Sequence, residues 1–290
     1  MMSLSVVVPA YNESAVIEHT LSHLLSDRQL VDAEILVICN GCSDDTASLV
    51  SSFKCSHIDI LSERRLIIEV VETDIASKTN AINIGIERAS GESIILLDAD
   101  IYVSGATLMS LRQNLVDSGK DLLSPSVSFD YQYASFWVRE YYKVASTSSY
   151  NRRYRFSNVI AMSKIGTECL GKLPNVIADD EYLRRQFKKE QASICEQLNF
   201  GFACPTNARD LLSILTRIQR GNYQLAQLQV KDQMGMEKVS VSAPSLSSFL
   251  IFSGFKMLSK LQAFWQLKTG KTISWEKDNS SRDRLINNDD

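Results

Sequence analysis

Asp98 and Asp100 stand one residue apart, directly after the run Ser93-Ile94-Ile95-Leu96-Leu97. A short apolar run that opens onto carboxylates reads as a strand buried on both faces, with the acids at its C-terminal end. Open α/β sheets place their ligands at that end. Two carboxylates this close repel unless positive charge lies between them. A hard divalent cation carrying phosphates is one answer, and a solvated polar turn is the other. Further on, Asp179-Asp180-Glu181 follow the apolar loop Leu173–Ala178 where a helix should begin. Capping and the helix dipole account for one acid. Three exceed that need, and a desolvated carboxylate there could serve as a general base. Arg217 and Arg220 are three apart on one face of a helix expected over Asn207–Gln219, near its C-terminus. They either clamp a diphosphate or match the dipole of the helix end.

The elements that must position these groups alternate regularly. Leu4–Val8 reads as a strand stopped by Pro9, and Asn12 or Ser14 as caps of the helix that carries Val16, Ile17, Leu21, Leu24 and Leu25. Glu34–Cys39 is a second strand, closed by the turn Asn40–Thr46 and a helix to about Phe53, with Ser43 or Asp44 as its cap. Leu66–Glu72 is a third strand, and Lys78 opens a helix that runs to Ala89 and is stopped by Gly91. With the Ser93–Asp98 strand, β-α-β-α-β-α-β fills the first hundred residues, which is the pattern of a doubly wound, mostly parallel sheet with helices on both faces. Three strand ends then deliver polar groups to one edge: Asn12 and Glu13, Asn40, and Asp98 with Asp100. A helix from Ser104 to Ser118, a strand Leu122–Val127, a short strand Asn158–Ser163 and a strand Ser193–Leu198 follow. No GxGxxG follows the first strand and no GxxxxGK[ST] occurs, which removes the main support for dinucleotide-binding and P-loop folds.

The chain of 290 residues, 44% hydrophobic and 22% charged, has the composition of an ordinary globular protein. Its net charge of −3 hides an asymmetry: residues 1–100 hold 6 basic and 16 acidic side chains, and the remainder 25 basic and 18 acidic. An acidic first part suits cation binding, and a basic second part suits a diphosphate or an anionic surface. The six cysteines are scattered, and no second CxxC or His pair completes a zinc site with Cys39 and Cys42. They read as reduced thiols of a cytoplasmic protein. His19 and His23, four apart on the first helix, lack a third ligand and read as surface residues. Met1 to Val8 has no basic n-region or long apolar run, so no leader is expected, and no segment of about 18 apolar residues calls for a membrane-spanning helix.

Between residues 129 and 156, aromatics including Tyr131, Trp137 and Tyr141 alternate with Arg139, Arg152 and Arg155. Such a stretch either stacks on sugars or bases, or forms an amphipathic helix packed on the sheet. From Val239 to Trp275 there are four Lys and no acid, with Leu250, Phe252, Phe255, Leu258, Leu261, Phe264 and Trp265 at helical spacing. That tail would lie on a membrane surface or dock on the body or a sister subunit. Asn279 to Asp290 reads as disordered by composition.

Five separated motifs carry a family resemblance. Val7-Val8-Pro9-Ala10-Tyr11-Asn12-Glu13, Val37–Thr46, Lys78–Gly85, Leu96–Asp100 and Ala178–Glu181 together resemble glycosyltransferase family 2 with its GT-A fold, in the right order over about residues 4–190. Trp275–Arg282 also looks like a C-terminal signature of some bacterial members. The resemblance implies a nucleotide-diphospho-sugar donor, Mg²⁺ or Mn²⁺, and inversion at the anomeric carbon. It implies that Pro9, Tyr11 and Glu13 hold the nucleoside, with Lys78 also on the donor side. Asp98 would contact the ribose or the metal, and Asp100, the second acid of the DXD motif, would ligate the metal. It places the base at Asp180, with Asp179 the competing choice. Asn40 stands where the family usually has an Asp, exchanging an acceptor-only group for one that also donates. The usual Gln-x-x-Arg-Trp is absent, and Arg217 and Arg220 are the substitutes.

The expectation is therefore an inverting, hexosyltransferase-like enzyme using a UDP- or GDP-sugar and a saccharide or lipid-linked acceptor, in surface polysaccharide or glycolipid synthesis. It would act at the cytoplasmic face of the inner membrane, with no nucleic-acid partner. Residues 1–235 would form the catalytic domain (1–127 for the nucleotide-sugar, 128–235 for the acceptor) and 236–290 an amphipathic helical tail. A sugar-phosphate nucleotidyltransferase would need a Gly-rich basic loop after the first strand, which Pro9–Glu13 is not. A non-catalytic carbohydrate- or membrane-binding scaffold is opposed by the intact Asp98, Asp100 and Asp180.

Overall fold

In the computed structural model, which describes residues 2–269, β1 (Leu4–Ala10) lies between β2 (Ala33–Asn40) and β4 (Ser93–Leu97), and β3 (Ile67–Thr73) pairs with β2. All three pairings are parallel. β-branched and Leu side chains alternate between two buried faces, as a sheet covered on both sides requires. Val6, Val8, Ile35 and Val37 pack under α1 (Ile17–Leu25), α2 (Thr46–Ser56), α3 (Ile58–Glu63) and α5 (Gly105–Ser118). Val7, Leu36 and Ile38 pack under α4 (Lys78–Arg88), α8 (Lys164–Leu170) and α9 (Asp179–Arg185). Each such buried side chain contributes about 1.5–3 kcal/mol relative to exposure.

The sheet continues as β6 (Val159–Ser163), β5 (Leu122–Asp130) and β7 (Ala192–Ala203), giving the order β3-β2-β1-β4-β6-β5-β7. β6 is antiparallel to both its neighbours, and β5 and β7 are parallel to each other. The chain builds outward from β1 to β3 and then returns to β4 on the other side of β1. The crevice beyond the C-terminal ends of β1 and β4 is thus the topological switch point, where ligands bind in open α/β sheets.

Several local expectations change. Pro9 lies inside β1, because β4 stops pairing at Val7 and one side of the strand then needs no amide. Val16 precedes α1 without a side-chain cap, so neither Asn12 nor Ser14 caps it. α4 ends at Arg88, and the Gly91 N–H instead donates to Ser5 Oγ at 2.8 Å. The boundary drawn at residue 127 falls within β5, whose pairing with β7 runs on to Asp130. α6 (Phe136–Ala145), preceding the short α7 (Ser149–Arg153), packs on the sheet through Tyr142 against Phe129 at 5.3 Å between centroids, and also on α10 (Ala208–Gln227) and α11 (Leu246–Thr269), with Tyr141 stacked on Phe252 at 5.1 Å. The aromatic stretch thus joins the β5–β7 end of the sheet to a helix interface. Among the described residues no helix is long and apolar enough to cross a membrane. The signature at 275–282 and the composition-based disorder at 279–290 lie outside the described residues.

Candidate active site

The loops after β1 and β2 are stitched together side by side. Asn12, at φ 52°, accepts from the Ser43 N–H through Oδ1 at 2.7 Å. The Glu13 N–H donates to Thr46 Oγ1 at 2.8 Å, and the Ser14 N–H to Asp44 Oδ2 at 3.1 Å. The Cys42 thiol joins the same seam, accepting from the Asn12 N–H at 3.3 Å and donating to the Ala10 carbonyl at 3.4 Å. Burial, with Cys42 beside it, pushes the Cys39 thiol up to about 12, so this CxxC pair is structural rather than reactive. His19 and His23 are half-buried and pack their rings against Tyr102, not around a metal.

Asn40, at the end of β2, is 1% exposed, and its Oδ1 has no hydrogen-bond partner. A buried acceptor left open normally costs free energy. The loop 73–78 closes over it: the Gly41 N–H donates to the Thr73 carbonyl at 2.6 Å. Gly41 is at φ 69°, and a Cβ there would meet the Ala76 Cβ at 2.9 Å, so two constraints call for glycine. Ser77 caps α4 by accepting from the Asn80 N–H, which sets Lys78 as the first helical residue, pointing across the switch point.

Lys78 is the hub of the edge. Its ammonium lies 2.8 Å from Asp98 Oδ1 and 3.2 Å from Asp179 Oδ2. Desolvation opposes its charge, but Asp179 and Asp98 outweigh it and hold the ammonium well above the usual lysine range. The other oxygen of Asp98 accepts from Asn158 Nδ2 at 2.9 Å, and the Asp98 N–H donates to the Asn158 carbonyl at 2.9 Å. Asp100 is half-buried in the following turn, which is anchored where the Ala99 carbonyl accepts from Thr20 Oγ1 at 2.6 Å.

The three acids of α9 divide into three roles. Asp179 is held by Lys78. Desolvation, then the charge of Asp179, pushes the Asp180 carboxyl up to about 6, against the pull of Lys78. Glu181 turns away into a buried network: Arg184, fully buried, pairs with Glu181 and with Asp232 at 2.8 Å each, Arg185 also reaches Glu181 at 2.8 Å, and the Tyr150 hydroxyl donates to it at 3.2 Å. Ala178 offers α9 no side-chain cap, and the Asp180 carboxylate accepts from the Glu181 N–H at 2.7 Å, so one acid satisfies a first-turn amide.

α10 extends eight residues past the expected end at Gln219, to Gln227. Arg217 and Arg220 therefore sit in the helix interior, and the reading that they complement its C-terminal dipole is removed. At helical spacing they share a face with Gly221 and Gln224. That face lies on the loop before the acids: Gln224 accepts from the Ile177 N–H at 2.8 Å and donates to the Asn175 carbonyl at 3.2 Å. A Cβ at Gly221 would come 2.6 Å from the Ala178 Cβ. The helix can approach this closely because position 221 has no side chain.

The structure thus brings Lys78, Asp98 and Asp179 into direct contact, with Asp180 and Asp100 in the adjoining turns. Pro9, Tyr11, Glu13 and Asn40 line the neighbouring strand ends, and Arg217 and Arg220 lie behind the loop 175–178. Asn158 and the Glu181–Arg184–Asp232 network were not anticipated as site residues. Asn158 meets Asp98 through the antiparallel register that sets Leu97 opposite Val159, a pairing that no local pattern encodes. Among the described residues no three His, Cys, Asp or Glu side chains come together as a ready metal cage.

Curated relatives matched over part of the chain include poly-β-1,6-N-acetyl-D-glucosamine synthases. That of Staphylococcus epidermidis is 35% identical over 104 residues, which is 34% of this chain and 22% of that protein. That of Staphylococcus aureus is 36% identical over 103 residues, with the same two shares. The chain thus matches less than a quarter of the length of these relatives. Among solved structures, the mannosyltransferase PcManGT from Pyrobaculum calidifontis, in complex with GDP-Man and Mn²⁺, aligns over 99% of this chain and 79% of its own, at a TM-score of 0.59 and 21% identity. Staphylococcus aureus TarS 1–349 in complex with UDP-GlcNAc aligns over 94% and 76%, at 0.53 and 14%. These likenesses establish the shared fold. The model of glycosyl transferase family 2 matches residues 5–172, more than half of the chain, and the chain belongs to that family.

Proposed function

We propose that the chain carries the catalytic domain (residues 1–235) of an inverting glycosyltransferase. It moves a sugar from a nucleotide-diphospho-sugar to an acceptor hydroxyl in surface polysaccharide or glycolipid synthesis. The observation that carries this reading is the cluster of Lys78, Asp98 and Asp179 at the switch point, with Asp180 held near 6 beside it. One strand end supplies paired carboxylates for the diphosphate side, and a separate helix supplies a base of suitable strength for the acceptor side.

The base of the donor fits the open acceptor of Asn40. With the covering loop 73–78 moved aside, its Oδ1 can take an N–H from the pairing edge of uracil or guanine, as a carboxylate would. Pro9, at the end of β1, and Tyr11 and Glu13, in the loop after it, flank that position. The donor set also fits Mg²⁺ or Mn²⁺. It offers hard oxygen ligands in Asp98 and Asp100, and Asp100, as the second acid of the DXD motif, is the main protein ligand in this reading. A cation held by one or two carboxylates and completed by phosphates and water matches the habit of Mg²⁺. When bound, the ion would neutralise charge on the leaving diphosphate. Lys78, and Arg217 and Arg220 from α10, supply further positive charge toward it.

Asp180 takes the proton from the acceptor hydroxyl as its oxygen attacks the anomeric carbon from the side opposite the leaving group. Asp179, tied to Lys78, keeps the α9 N-terminus against the β4 end. The test is transfer from UDP- and GDP-sugars with Mn²⁺ by Asp180→Asn and Asp179→Asn. Asp180→Asn should lose about 10²–10⁴-fold in kcat while still binding donor. Full rate in Asp180→Asn together with loss in Asp179→Asn would move the base to Asp179. No effect of either, with no donor bound, would sink the enzyme reading.

A further inference from the structure

A helix packed on a globular body normally turns its apolar side inward. α11 is apolar on both sides: Ile251, Phe252 and Phe255 pack inward against the cluster around Tyr141, and further large apolar side chains face outward. The residues it buries are Ser248, Ser259, Ala263 and Gln266. They face α6 and α10, where Ser248 Oγ donates to Glu140 and Thr216 Oγ1 donates to Gln262 at 3.2 Å. On the outer side, Leu250, Met257, Leu261 and Phe264 are 61%, 60%, 59% and 52% exposed. At about 100° per residue these four fall within about 60° of one another, opposite Ser248, Ser259 and Gln266. The stripe runs along a helix of 24 residues, about 36 Å.

Charge identifies what covers it. From Val239 to Thr269 the chain has three Lys (256, 260 and 268) and no acid. Lys260 and Lys268 are exposed, the first flanking the stripe and the second on it, with the Lys268 ammonium 5.1 Å from the Phe264 ring centre. An apolar stripe studded with lysines opposes pairing with a second copy of itself, which would bring like charges together as water is excluded. It suits a bilayer surface, where apolar side chains enter the acyl boundary and long lysine stems reach anionic headgroups.

We propose that the outer face of α11 lies in the plane of an anionic membrane surface. Resting on the transferase reading above, this also specifies the acceptor side. α11 and α10 both lie between the lipid and the catalytic loop, with Gly221 of α10 against Ala178, so the loop before Asp179 stands about two helix diameters, ~20 Å, from the lipid. An acceptor hydroxyl carried outward from the bilayer on the saccharide of a membrane lipid fits that separation.

The test is sedimentation of the full chain with vesicles of phosphatidylcholine alone or of equal parts phosphatidylcholine and phosphatidylglycerol. The wild type should pellet with the mixed vesicles and be released as salt rises. Leu250→Ser/Leu261→Ser/Phe264→Ser should lower the partition coefficient at least about tenfold. Lys260→Gln/Lys268→Gln should lower it about tenfold or more on mixed vesicles only. Both variants should keep the helical dichroism and the Mn²⁺-dependent stabilisation by nucleotide-sugar measured without lipid. Loss of that stabilisation in the wild type would count against the transferase, not against the docking. The docking is overturned if the wild type stays in the supernatant with both vesicles. It is also overturned if the triple variant pellets like the wild type, or if the wild type is a dimer that the same substitutions dissociate.

Discussion

Lys78 touches Asp98 and Asp179, and its charge also reaches Asp180. The protonation of the proposed base is therefore a property of the cluster. With Asp180 pushed up to about 6, the fraction of enzyme holding a deprotonated base halves near that pH. kcat/KM should rise through about 6 and level above it. Lys78→Gln removes the cation that pulls Asp180 down, so the acid limb of that profile should move to higher pH as the maximal rate falls. An unchanged midpoint in Lys78→Gln would show that Lys78 and the base are not coupled. The carboxylates themselves were legible in the sequence, because each lies at the end of an apolar run. The ammonium joining them was not: Lys78 and Asp179 are 101 residues apart in the chain and meet only when α4 and α9 pack on the same face of the sheet.

At the scale of elements, α9 is held in place by a charge network built on Glu181, separate from the contacts of Asp179 with Lys78 and of Asp180 with the Glu181 N–H. Desolvation disfavours the Glu181 and Asp232 carboxylates, but their bonds to Arg184, joined at Glu181 by Arg185, outweigh it and keep both below the usual carboxylate range. A carboxyl held down in the fold binds its proton less readily than in the unfolded chain. The stability it contributes is thus present at neutral pH and is lost as pH falls through and below the ordinary carboxylate range. Arg184→Ala strands Glu181 in a buried setting and should cost about 3–5 kcal/mol. The wild type should also lose its margin over this variant on acidification, as read by urea unfolding at neutral and acid pH. A second contact acts on the same loop from behind. Gly221→Leu forces α10 off Ala178 and should cost about 1–3 kcal/mol. Its transfer rate should fall further than the stability loss explains, as measured below the melting range. Loss of stability at an unchanged rate would mean that α10 only supports the loop. Neither contact could be read locally. Arg217 and Arg220 stood out as a pair, but their setting depends on a helix that runs on through Gly221, a residue that normally disfavours helix.

For the whole molecule, the alternation of apolar runs and caps displayed the parallel half of the sheet, because β1, β2 and β4 are buried on both faces and each strand is followed by its helix. The second half was less legible. β6 is antiparallel, α6 packs on a tail about a hundred residues later, and α11 carries large apolar side chains on both its inner and outer sides, so periodicity alone left its docking open. The switch-point crevice joins parts from both halves: Asn40, Lys78 and Asp100 from the first, Asn158 and Asp180 from the second. A donor bound there should therefore stabilise the fold as a unit. A ligand that binds only the native state at about a hundred times its Kd adds about 2.7 kcal/mol. At about 2–4 °C per kcal/mol for a chain of this order of size, Tm should rise by about 5–10 °C. UDP-GlcNAc and GDP-mannose with Mn²⁺, compared side by side, decide which base the open acceptor of Asn40 takes. Because the protein offers the cation few ligands of its own, EDTA should remove most of the shift given by the nucleotide-sugar, while Mn²⁺ alone should give little. Asp100→Asn should behave as the wild type does in EDTA. A full shift that survives both EDTA and Asp100→Asn would show that the diphosphate is held by Lys78 and the arginines of α10, without a metal.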